Sequence, residues 1–439
     1  MATNGTVDQG HIKELAALIN QSVQTVLSEY ASENKTIPSL DVTDASQTLI
    51  NRPILEAVRI LESACAQLCA TVAPAEHIMV NMINPASLHV ALTARVAEQL
   101  RDGPKPVSEI AKTAGMDADK LGRVLRNLTA KHCFREVSRN VYANNKLSVC
   151  LLPEDATSGI IHRSVDETYL AFSKLSEVMS DPEWAYSTAK NQTAFVRAHG
   201  QTVFDRARGD VSSPVRSARY THAMEGWTKV NGGADVAVYL YPWDEVPPNA
   251  IFCDVGGSTG EVCLALIQAK PHLRTIVQDL PKAIDQANAV WQNALPEALE
   301  SKRAQLIPMD FFAQSPVEGC DFYYLKHVLH DWPDAECVTI LSNIRKAMKD
   351  GKGKVLIRTS SHTVTSVLLK GGRRAPFPLL PNYGVGTQKK YYQDLNMLAL
   401  FNGRERTVDD FASLAEKSGL KFSRLWEGDH TGIVELVAA

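Results

Sequence analysis

The sequence lacks both a long apolar run and an excess of charge of one sign. Among 439 residues, 46 Lys and Arg nearly balance 49 Asp and Glu, which leaves a formal net charge of −3. No stretch reaches the roughly 18 apolar residues that span a bilayer, and the first residues show no basic segment followed by an apolar one. We therefore expect a cytoplasmic protein whose partners include neither a membrane nor a nucleic acid.

Cysteine is sparse and shows no metal-binding pattern. The eight cysteines are scattered, mostly within apolar runs, and no C-x-x-C pair occurs. Cys65 and Cys69 lie one helical turn apart and can share a face, but no second pair of ligands is near them. We expect reduced thiols in the core and no metal site.

The length exceeds what one hydrophobic core usually organises, so more than one domain is expected. Changes in sequence texture predict a helical arm over 1–75 and a winged-helix-like dimerisation domain over 76–165. A helical connector that walls a substrate pocket follows over 166–245, and a catalytic α/β domain spans 246–439.

The first two segments contain amphipathic helices and then a helical module. Residues 11–33 and 53–72 have helical apolar spacing, and the polar stretch between them contains proline. From His89, three short helical patterns precede a hairpin, which is the order of a winged helix. Lys120, Arg123 and Arg126 on its third helix allow either a DNA-binding face or a solvated face of a dimerising module, and we favour the second.

The connector is rich in aromatic residues and methionine. Phe195, Phe204, Met224 and Trp227 fall in helical patterns there. Such residues fill protein cores more often than they contact ligands. They are candidates for an apolar substrate pocket, and the core alternative stays open.

After residue 246, short apolar runs alternate with helical patterns, which predicts a parallel sheet covered on both faces. The last two apolar runs are close enough to form a hairpin. The first run ends in Asp254, and Gly256, Gly257 and Gly260 follow. Glycines at the carboxyl end of a strand allow a tight turn and close approach of a ligand.

Acidic and aromatic residues close the next two strands. Asp279, with Leu280 beside it, stands about 20 residues after the glycine turn, where a carboxylate accepts hydrogen bonds from ribose hydroxyls. Asp310 closes the third strand, and Phe311 beside it can flank a purine. A dinucleotide site shares these features, but Asp254 would repel a pyrophosphate and attract an ammonium or sulfonium cation, as in S-adenosylmethionine.

The stretch LKHVLHDWPDAEC, together with DVGGSTGE, resembles the signature of plant and fungal small-molecule O-methyltransferases, which include the caffeic acid enzymes. The resemblance extends over nearly the whole chain from about His89, through TAFVRAHG, ARYTHAMEG and QDLP to YYQDLNMLALFNGRERT. It implies a class I methyltransferase, a Rossmann-like α/β sheet with an antiparallel last strand, and an N-terminal domain that forms a homodimer. The LFNGRERT variant is closest to the fungal polyketide enzymes.

The resemblance also implies roles for individual residues. His330 matches the general base and Glu405 the acid that orients it, while His327 is expected to be structural. A base is needed because a phenol with a pKa near 10 is a poor nucleophile at neutral pH. Lys326 joins the predicted adenosylmethionine site. Asp331, Met397 and Phe401 join the pocket expected for a small, flat aromatic substrate.

One position departs from the family pattern. Many members carry an acid at the end of the fifth strand, where this chain has Arg358 and Thr359 followed by a long polar segment. Either Glu405 suffices to hold the base, or the pocket serves another reaction. The alternatives are a methyltransferase-fold enzyme that keeps adenosylmethionine bound while it promotes dehydration or a pericyclic reaction, and a winged-helix regulator that senses a metabolite. The presence of His330 favours methyl transfer.

Overall fold

The computed structural model describes residues 9–39, 41, 48–72, 85–145, 147–208, 214–230, 233–359, 375–428 and 431–439. The chain forms two compact units. The helical unit comprises Met1–Ser173, Phe204–Trp227 and Thr365–Tyr391. The sheet unit comprises Lys174–Val203, Thr228–Val364 and Tyr392–Ala439. This division is coarser than the predicted four segments, which stay a prediction. It splits the predicted connector between both units and assigns Thr365–Tyr391 to the helical unit.

The helical unit begins with two long helices, Gln9–Ser32 and Arg52–Val72, which confirm the predicted amphipathic pair. Leu15 and Ala64 are fully buried and pack in one cluster with Leu379. The two helices therefore bury their apolar stripes against each other and against the segment around Leu379.

A small sheet and short helices follow in the same unit. The strands are β1 (Lys105–Pro106), β2 (Arg135–Ser138) and β3 (Val141–Ala143), ordered β1-β3-β2 and antiparallel. The helices are Ala86–Thr93, Val96–Gln99, Val107–Ala114, Ala118–Thr129 and Ala156–Arg163. The first of the three predicted helices is divided into Ala86–Thr93 and Val96–Gln99, because Arg95 between them is in the left-handed region. The other two predicted helices and the hairpin lie where the sequence placed them, and the winged-helix classification stays a prediction.

The helix Ala118–Thr129 illustrates why this region folds as it does. Its amino end is capped by the Asp117 side chain, which accepts a hydrogen bond from the backbone N–H of Lys120 at 2.9 Å. Leucines recur along one face and are buried, whereas Arg123 and Arg126 are exposed on the other. The basic residues thus form the solvated face of an amphipathic helix.

Further helices occupy the connector and the sheet unit. In the connector they are Tyr169–Met179, Ala194–His199, Val203–Arg208, Pro214–Val230 and Val236–Leu240. Beyond it they are Glu261–Ala269, Pro281–Ala294, Pro296–Glu300, Asp334–Ala347, Gln388–Phe401 and Val408–Lys417.

The sheet unit contains a seven-stranded sheet. Its strands are β4 (Ile251–Val255), β5 (Arg274–Asp279), β6 (Ala304–Pro308), β7 (Phe322–Lys326), β8 (Lys354–Thr359), β9 (Leu420–Glu427) and β10 (Gly432–Ala438). The order is β6-β5-β4-β7-β8-β10-β9, and β10 is antiparallel to both of its neighbours. This is the Rossmann-like sheet of a class I methyltransferase, so the predicted fold is confirmed.

Both faces of this sheet are covered by apolar side chains. Tyr323 and Leu325 belong to one buried cluster, whereas Phe322 and Tyr324 belong to the other. Successive side chains of a strand point to opposite faces, so a run without alternating polarity fills two cores. Because both faces are covered, polar groups that bind a ligand have to lie at the ends of the strands.

All eight cysteines are free. Four of them are buried, but Cys65 and Cys69 are exposed, so the prediction of core thiols is wrong for this pair. Both lie on the helix Arg52–Val72, and only part of an amphipathic helix faces a core. Among the described residues, no three His, Cys, Asp or Glu side chains come together as a metal site. No helix in the same ranges is long and apolar enough to cross a membrane.

Candidate active site

The turn after β4 is shaped by its glycines. Gly256 and Gly260 have φ of 76° and 78°, in the left-handed region that glycine adopts most easily. A Cβ at Gly256 would lie 2.9 Å from a methyl of Val328, and one at Gly260 would lie 2.7 Å from the indole nitrogen of Trp291. Side chains are therefore excluded at both positions, and the backbone stays accessible at the carboxyl end of the sheet.

Asp279, at the end of β5, holds this turn in place. One of its carboxylate oxygens accepts a hydrogen bond from the backbone N–H of Ser258 at 2.8 Å, and the other accepts one from Leu280 at 2.7 Å. A carboxylate has about four acceptor sites, so two remain for a ligand. Asp279 therefore has a structural contact in addition to its predicted role at a ribose.

Asp254 is a buried carboxylate at the end of β4. Its Oδ1 has no hydrogen-bond donor among the described residues, and a Cβ at Gly257 would meet Oδ2 at 2.9 Å. Burial raises the pKa of Asp254 to about 7, while the charge of Lys326 opposes that shift. A cationic ligand group would supply the missing partner, so this position fits the ammonium or sulfonium of adenosylmethionine better than it fits a phosphate.

Lys326 closes β7 next to β4. Its Nζ lies 3.6 Å from a carboxylate oxygen of Glu261 at the start of the helix Glu261–Ala269. Burial lowers the pKa of Lys326, and Glu261 and Asp254 counteract this. Acidic and basic side chains therefore lie side by side at this end of the sheet, which suits a ligand that carries both a positive and a negative charge.

Aromatic rings follow β6. Phe311 and Phe312 contact each other edge to face with centroids 4.8 Å apart, and Phe312 contacts Trp332 in the same manner at 4.7 Å. Asp310 is exposed and accepts a hydrogen bond from the backbone N–H of Phe312 at 2.9 Å. The structure therefore brings all the predicted cofactor positions to one edge of the sheet, and their roles stay predictions.

His330 and Glu405 form a buried pair. The imidazole Nδ1 lies 2.7 Å from Oε1 of Glu405, although 75 positions separate the two in the chain. A carboxylate only accepts hydrogen bonds, so this contact places a proton on Nδ1. The lone pair of neutral His330 is then on Nε2, and Asp331 Oδ1 lies 3.6 Å from that atom.

The electrostatics of His330 follow from these neighbours. Burial lowers its pKa, but the carboxylates of Glu405 and Asp331 outweigh burial and raise it to about 9. His327 stacks on the same ring with centroids 5.1 Å apart and an interplanar angle of 27°. One imidazole is thus paired with a carboxylate, and the other packs against it.

Arg406, which the sequence reasoning missed, fixes Glu405 next to the histidine. It is 1% exposed, and its guanidinium donates hydrogen bonds to the carbonyls of Leu329 and Trp332 and to Asp334. The three acceptors all lie in the 329–334 segment around His330. The arginines beside Glu405 in GRERT were the available signal, but they resemble a surface motif.

Two further contacts hold the backbone of Arg404 and Glu405. The backbone N–H of Glu405 donates to Oδ1 of Asp394 at 2.8 Å, and that of Arg404 donates to the carbonyl of His330 at 3.0 Å. A Cβ at Gly403 would overlap the same His330 carbonyl oxygen, so this position requires glycine. Neither Asp394 nor Gly403 was identified from the sequence.

The predicted substrate residues divide between the two units. Phe195, Met397 and Phe401 belong to the sheet unit and are buried; Phe195 packs against the His199 ring with centroids 4.4 Å apart. Phe204, Met224 and Trp227 belong to the helical unit and are partly buried. The full burial of Phe195 favours the core alternative for that residue.

Thr359 ends β8, and its side chain lies outside the described residues, as do residues 360–374 of the long polar segment. Arg358, one residue earlier, is 1% exposed and donates a hydrogen bond to the carbonyl of Gly233 at 3.0 Å. The position next to the expected acid is thus occupied by a buried cation.

The fold and this edge of the sheet define a class I methyltransferase. The family described as the O-methyltransferase domain matches residues 183–421, and the O-methyltransferase dimerisation domain matches residues 76–154. The chain belongs to this O-methyltransferase family and is an O-methyltransferase.

Individual relatives agree over nearly the whole length. The chain is 38% identical to 3-O-methyltransferase 2 of Phanerochaete chrysosporium, over 98% of each chain. It is 30% identical to O-methyltransferase gedA of Aspergillus terreus, over 96% of this chain and 94% of that one. Among solved structures, OxaC in complex with sinefungin and meleagrin is 25% identical with a TM-score of 0.71, covering 99% of this chain and 100% of that chain.

Proposed function

We propose that this enzyme transfers the methyl group of S-adenosylmethionine to a hydroxyl of an aromatic secondary metabolite, with His330 as the general base. The observation that carries the proposal is the 2.7 Å contact between His330 Nδ1 and Glu405. It fixes the tautomer in which Nε2 is free to accept the proton of an acceptor hydroxyl. Glu405 is a positioning residue, since it acts through the imidazole.

The residues for the methyl donor lie at the carboxyl ends of β4, β5 and β7. Asp254 would accept from the donor's cationic groups, Asp279 would accept from ribose hydroxyls, and Lys326 would attract its carboxylate. When bound, the donor supplies an electrophilic methyl group on a sulfonium. The chain contributes alignment of the two reactants and removal of the hydroxyl proton.

The ionisation of His330 sets a pH requirement. Below its pKa of about 9, most of the ligand-free enzyme carries a proton on both ring nitrogens, and that form cannot act as a base. The reaction therefore depends on the neutral fraction of His330, which increases as the pH rises toward that value.

The acceptor class is supported by relatives. The chain resembles proteins named 3-O-methyltransferase 2 and 4-O-methyltransferase 1 in Phanerochaete chrysosporium. It also resembles NcsB1, whose structure contains S-adenosylmethionine and 2-hydroxy-5-methyl naphthoic acid. Met397 and Phe401 supply apolar area on the helix that also carries Asp394. We propose a hydroxylated aromatic acceptor on this basis.

The dimerisation-domain match supports a homodimer formed through the N-terminal segment. We propose that this segment is a winged-helix-like structural module and that the protein acts in the cytoplasm. Its exposed Arg123 and Arg126 then serve solubility and not nucleic-acid binding.

The test incubates the purified enzyme with adenosylmethionine and a panel of phenolic polyketides and flavonoids, and it measures adenosylhomocysteine release and product mass. We expect acceptor-dependent release with a mass gain of one methyl group per transfer. His330→Ala should lose this release, and His162→Ala, in the helical unit, is its matched control and should retain activity. Conversion of an acceptor by dehydration or isomerisation, without adenosylhomocysteine release, would contradict methyl transfer and support the alternative chemistry.

A further inference from the structure

Arg358 is a buried charge that the proposed reaction does not use. It stands next to Lys326 in the register of β7 and β8, while Tyr324 stands next to Asp254 in the register of β4 and β7. Side chains two positions apart on a strand share a face, so Asp254, Lys326 and Arg358 point to the same side of the sheet. β4 and β8 lie two strand spacings apart, about 10 Å, with β7 between them, and the long arginine side chain is within electrostatic range of Asp254 over this separation.

Besides Cys253 on the same strand, the charged and titratable groups around Asp254 come from four elements. From β5, the helix Glu261–Ala269, β7 and β8, they are Asp279, Glu261, Cys263, Tyr324, Lys326 and Arg358. The two carboxylates make a negative charge on Asp254 less favourable, whereas Lys326 and Arg358 favour it. Glu261 also lies 3.6 Å from Lys326, so it shares the charge of that lysine. Lys326 makes the larger favourable contribution, and Arg358 adds a second one from β8.

Burial makes this cation effective. Both Asp254 and Arg358 are 1% exposed, and charges that are shielded from water interact more strongly than charges at a surface. The hydrogen bond from Nη1 to the Gly233 carbonyl holds the guanidinium in place.

We propose that Arg358 is a positioning residue of the cofactor site that, together with Lys326, favours the ionised form of the Asp254 carboxylate and thereby extends cofactor binding to lower pH. This inference rests on the proposed adenosylmethionine site. It concerns the ionisation of Asp254 and not methyl transfer, so it is tested by binding.

The consequence for binding has a defined sign. A protonated Asp254 cannot attract a cationic ligand group, so affinity decreases as the pH falls through the pKa of this carboxyl. Burial has already raised that pKa to about 7, and Arg358 opposes the increase. Removing the charge of Arg358 moves the loss of affinity to higher pH.

The experiment compares Arg358→Gln with Arg358→Lys. Glutamine keeps a hydrogen-bond donor but no charge, whereas lysine keeps the charge. The probe is adenosylhomocysteine, which has the same amino-acid portion, and its Kd is measured calorimetrically from about pH 6 to about pH 8.5, a window around the raised pKa. The ratio of variant to wild-type Kd cancels the ionisation of the ligand itself.

We expect R358Q to bind about tenfold more weakly than wild type at the acidic end, which corresponds to one pKa unit, with a ratio that approaches one at the alkaline end. R358K should remain near wild type throughout. A ratio that is constant with pH, or equal losses in both variants, would show a structural role only and overturn the proposal.

A second comparison does not depend on the folding of the Arg358 variants. Asp254→Asn should bind weakly and remove the acidic decrease in affinity that the wild type shows. If D254N keeps the wild-type pH dependence, another group titrates and the inference fails. If the wild type binds neither adenosylmethionine nor adenosylhomocysteine at any pH, the proposed function fails instead.

Discussion

Two loops of the sheet unit carry the candidate chemistry, and they are built differently. The glycine turn after β4 is local: Gly256 to Gly260 lie within five positions, and Asp279 holds the turn from the neighbouring strand. The base loop, defined here as residues 327–334 with 402–407, joins two segments about 75 positions apart. One loop is specified by backbone conformation and the other by buried polar contacts.

Because the two loops are built differently, different kinds of substitution should destabilise them. The glycine turn depends on the absence of side chains, so it should respond to added volume. The base loop depends on Arg406 and Glu405, whose polar groups are buried and paired, so it should respond to the loss of a partner. Substitutions in each loop can separate the two effects.

The largest effect is expected at His330. His330→Ala removes the proton acceptor, and we expect kcat/KM to fall by about 10²- to 10⁴-fold, the usual contribution of a positioned base. Steady-state adenosylhomocysteine release measures it. His327→Ala removes the stacked imidazole and should lower kcat/KM much less. A larger loss for H327A than for H330A would show that His330 is not the base.

Next in size is the loss of Arg406. Arg406→Leu removes the guanidinium from the carbonyls of Leu329 and Trp332, which keep only weaker donors such as the Cys337 thiol, and it leaves Asp334 without this buried partner. We expect the free energy of unfolding to fall by about 3 kcal/mol. Denaturant unfolding measures the change. Arg404→Leu is the matched control, because Arg404 pairs with the same Asp334 but is half exposed. Its expected cost is below about 1 kcal/mol, and equal costs for both variants would contradict a role for burial.

In the glycine turn, Gly260→Ala should cost about 2 kcal/mol, because the new methyl group meets Trp291 and Val277 in a left-handed conformation. Gly319 has a similar φ of 73° and open space around its Cβ position, so Gly319→Ala measures the cost of the left-handed backbone conformation alone. Thermal unfolding of both variants gives the difference. If the two variants lose equal stability, close packing is not what requires glycine at position 260.

The smallest effect is expected in the helical unit. Arg123→Ala changes an exposed residue on the solvated face of the helix Ala118–Thr129, so its effect on stability should be within about 0.5 kcal/mol. Methyl-transfer activity should be unchanged. A clear loss of activity or stability would show that this face makes a contact and would contradict its assignment as a solvated surface.

The local parts of the site were accessible from the sequence. The strand endings, the glycine turn and the acids at Asp254 and Asp279 follow from apolar runs and spacing, because each involves neighbouring residues. The approximate bounds of the first two helices also follow from periodicity. The roles of His330 and Glu405 came from resemblance, since no local pattern joins positions 75 residues apart.

Other features depended on tertiary packing. Arg406 has the sequence context of a surface residue, and only the fold shows its burial against the Leu329 and Trp332 carbonyls. The exposure of Cys65 and Cys69 depends on which helix face meets a neighbour. The assignment of residues 375–391 to the helical unit likewise depends on distant contacts, such as Leu379 with Leu15.

The pairing of His330 with Glu405 is tested most directly by the pH dependence of kcat/KM in the wild type and in Glu405→Gln, with one acceptor used for both. In the wild type, kcat/KM should rise with pH with a midpoint near pH 9, because protonated His330 is inactive. E405Q removes the carboxylate that raises this pKa, so the midpoint should move to lower pH, and the maximum kcat/KM should fall because the imidazole is no longer oriented. An unchanged midpoint in E405Q would contradict His330 as the base held by Glu405.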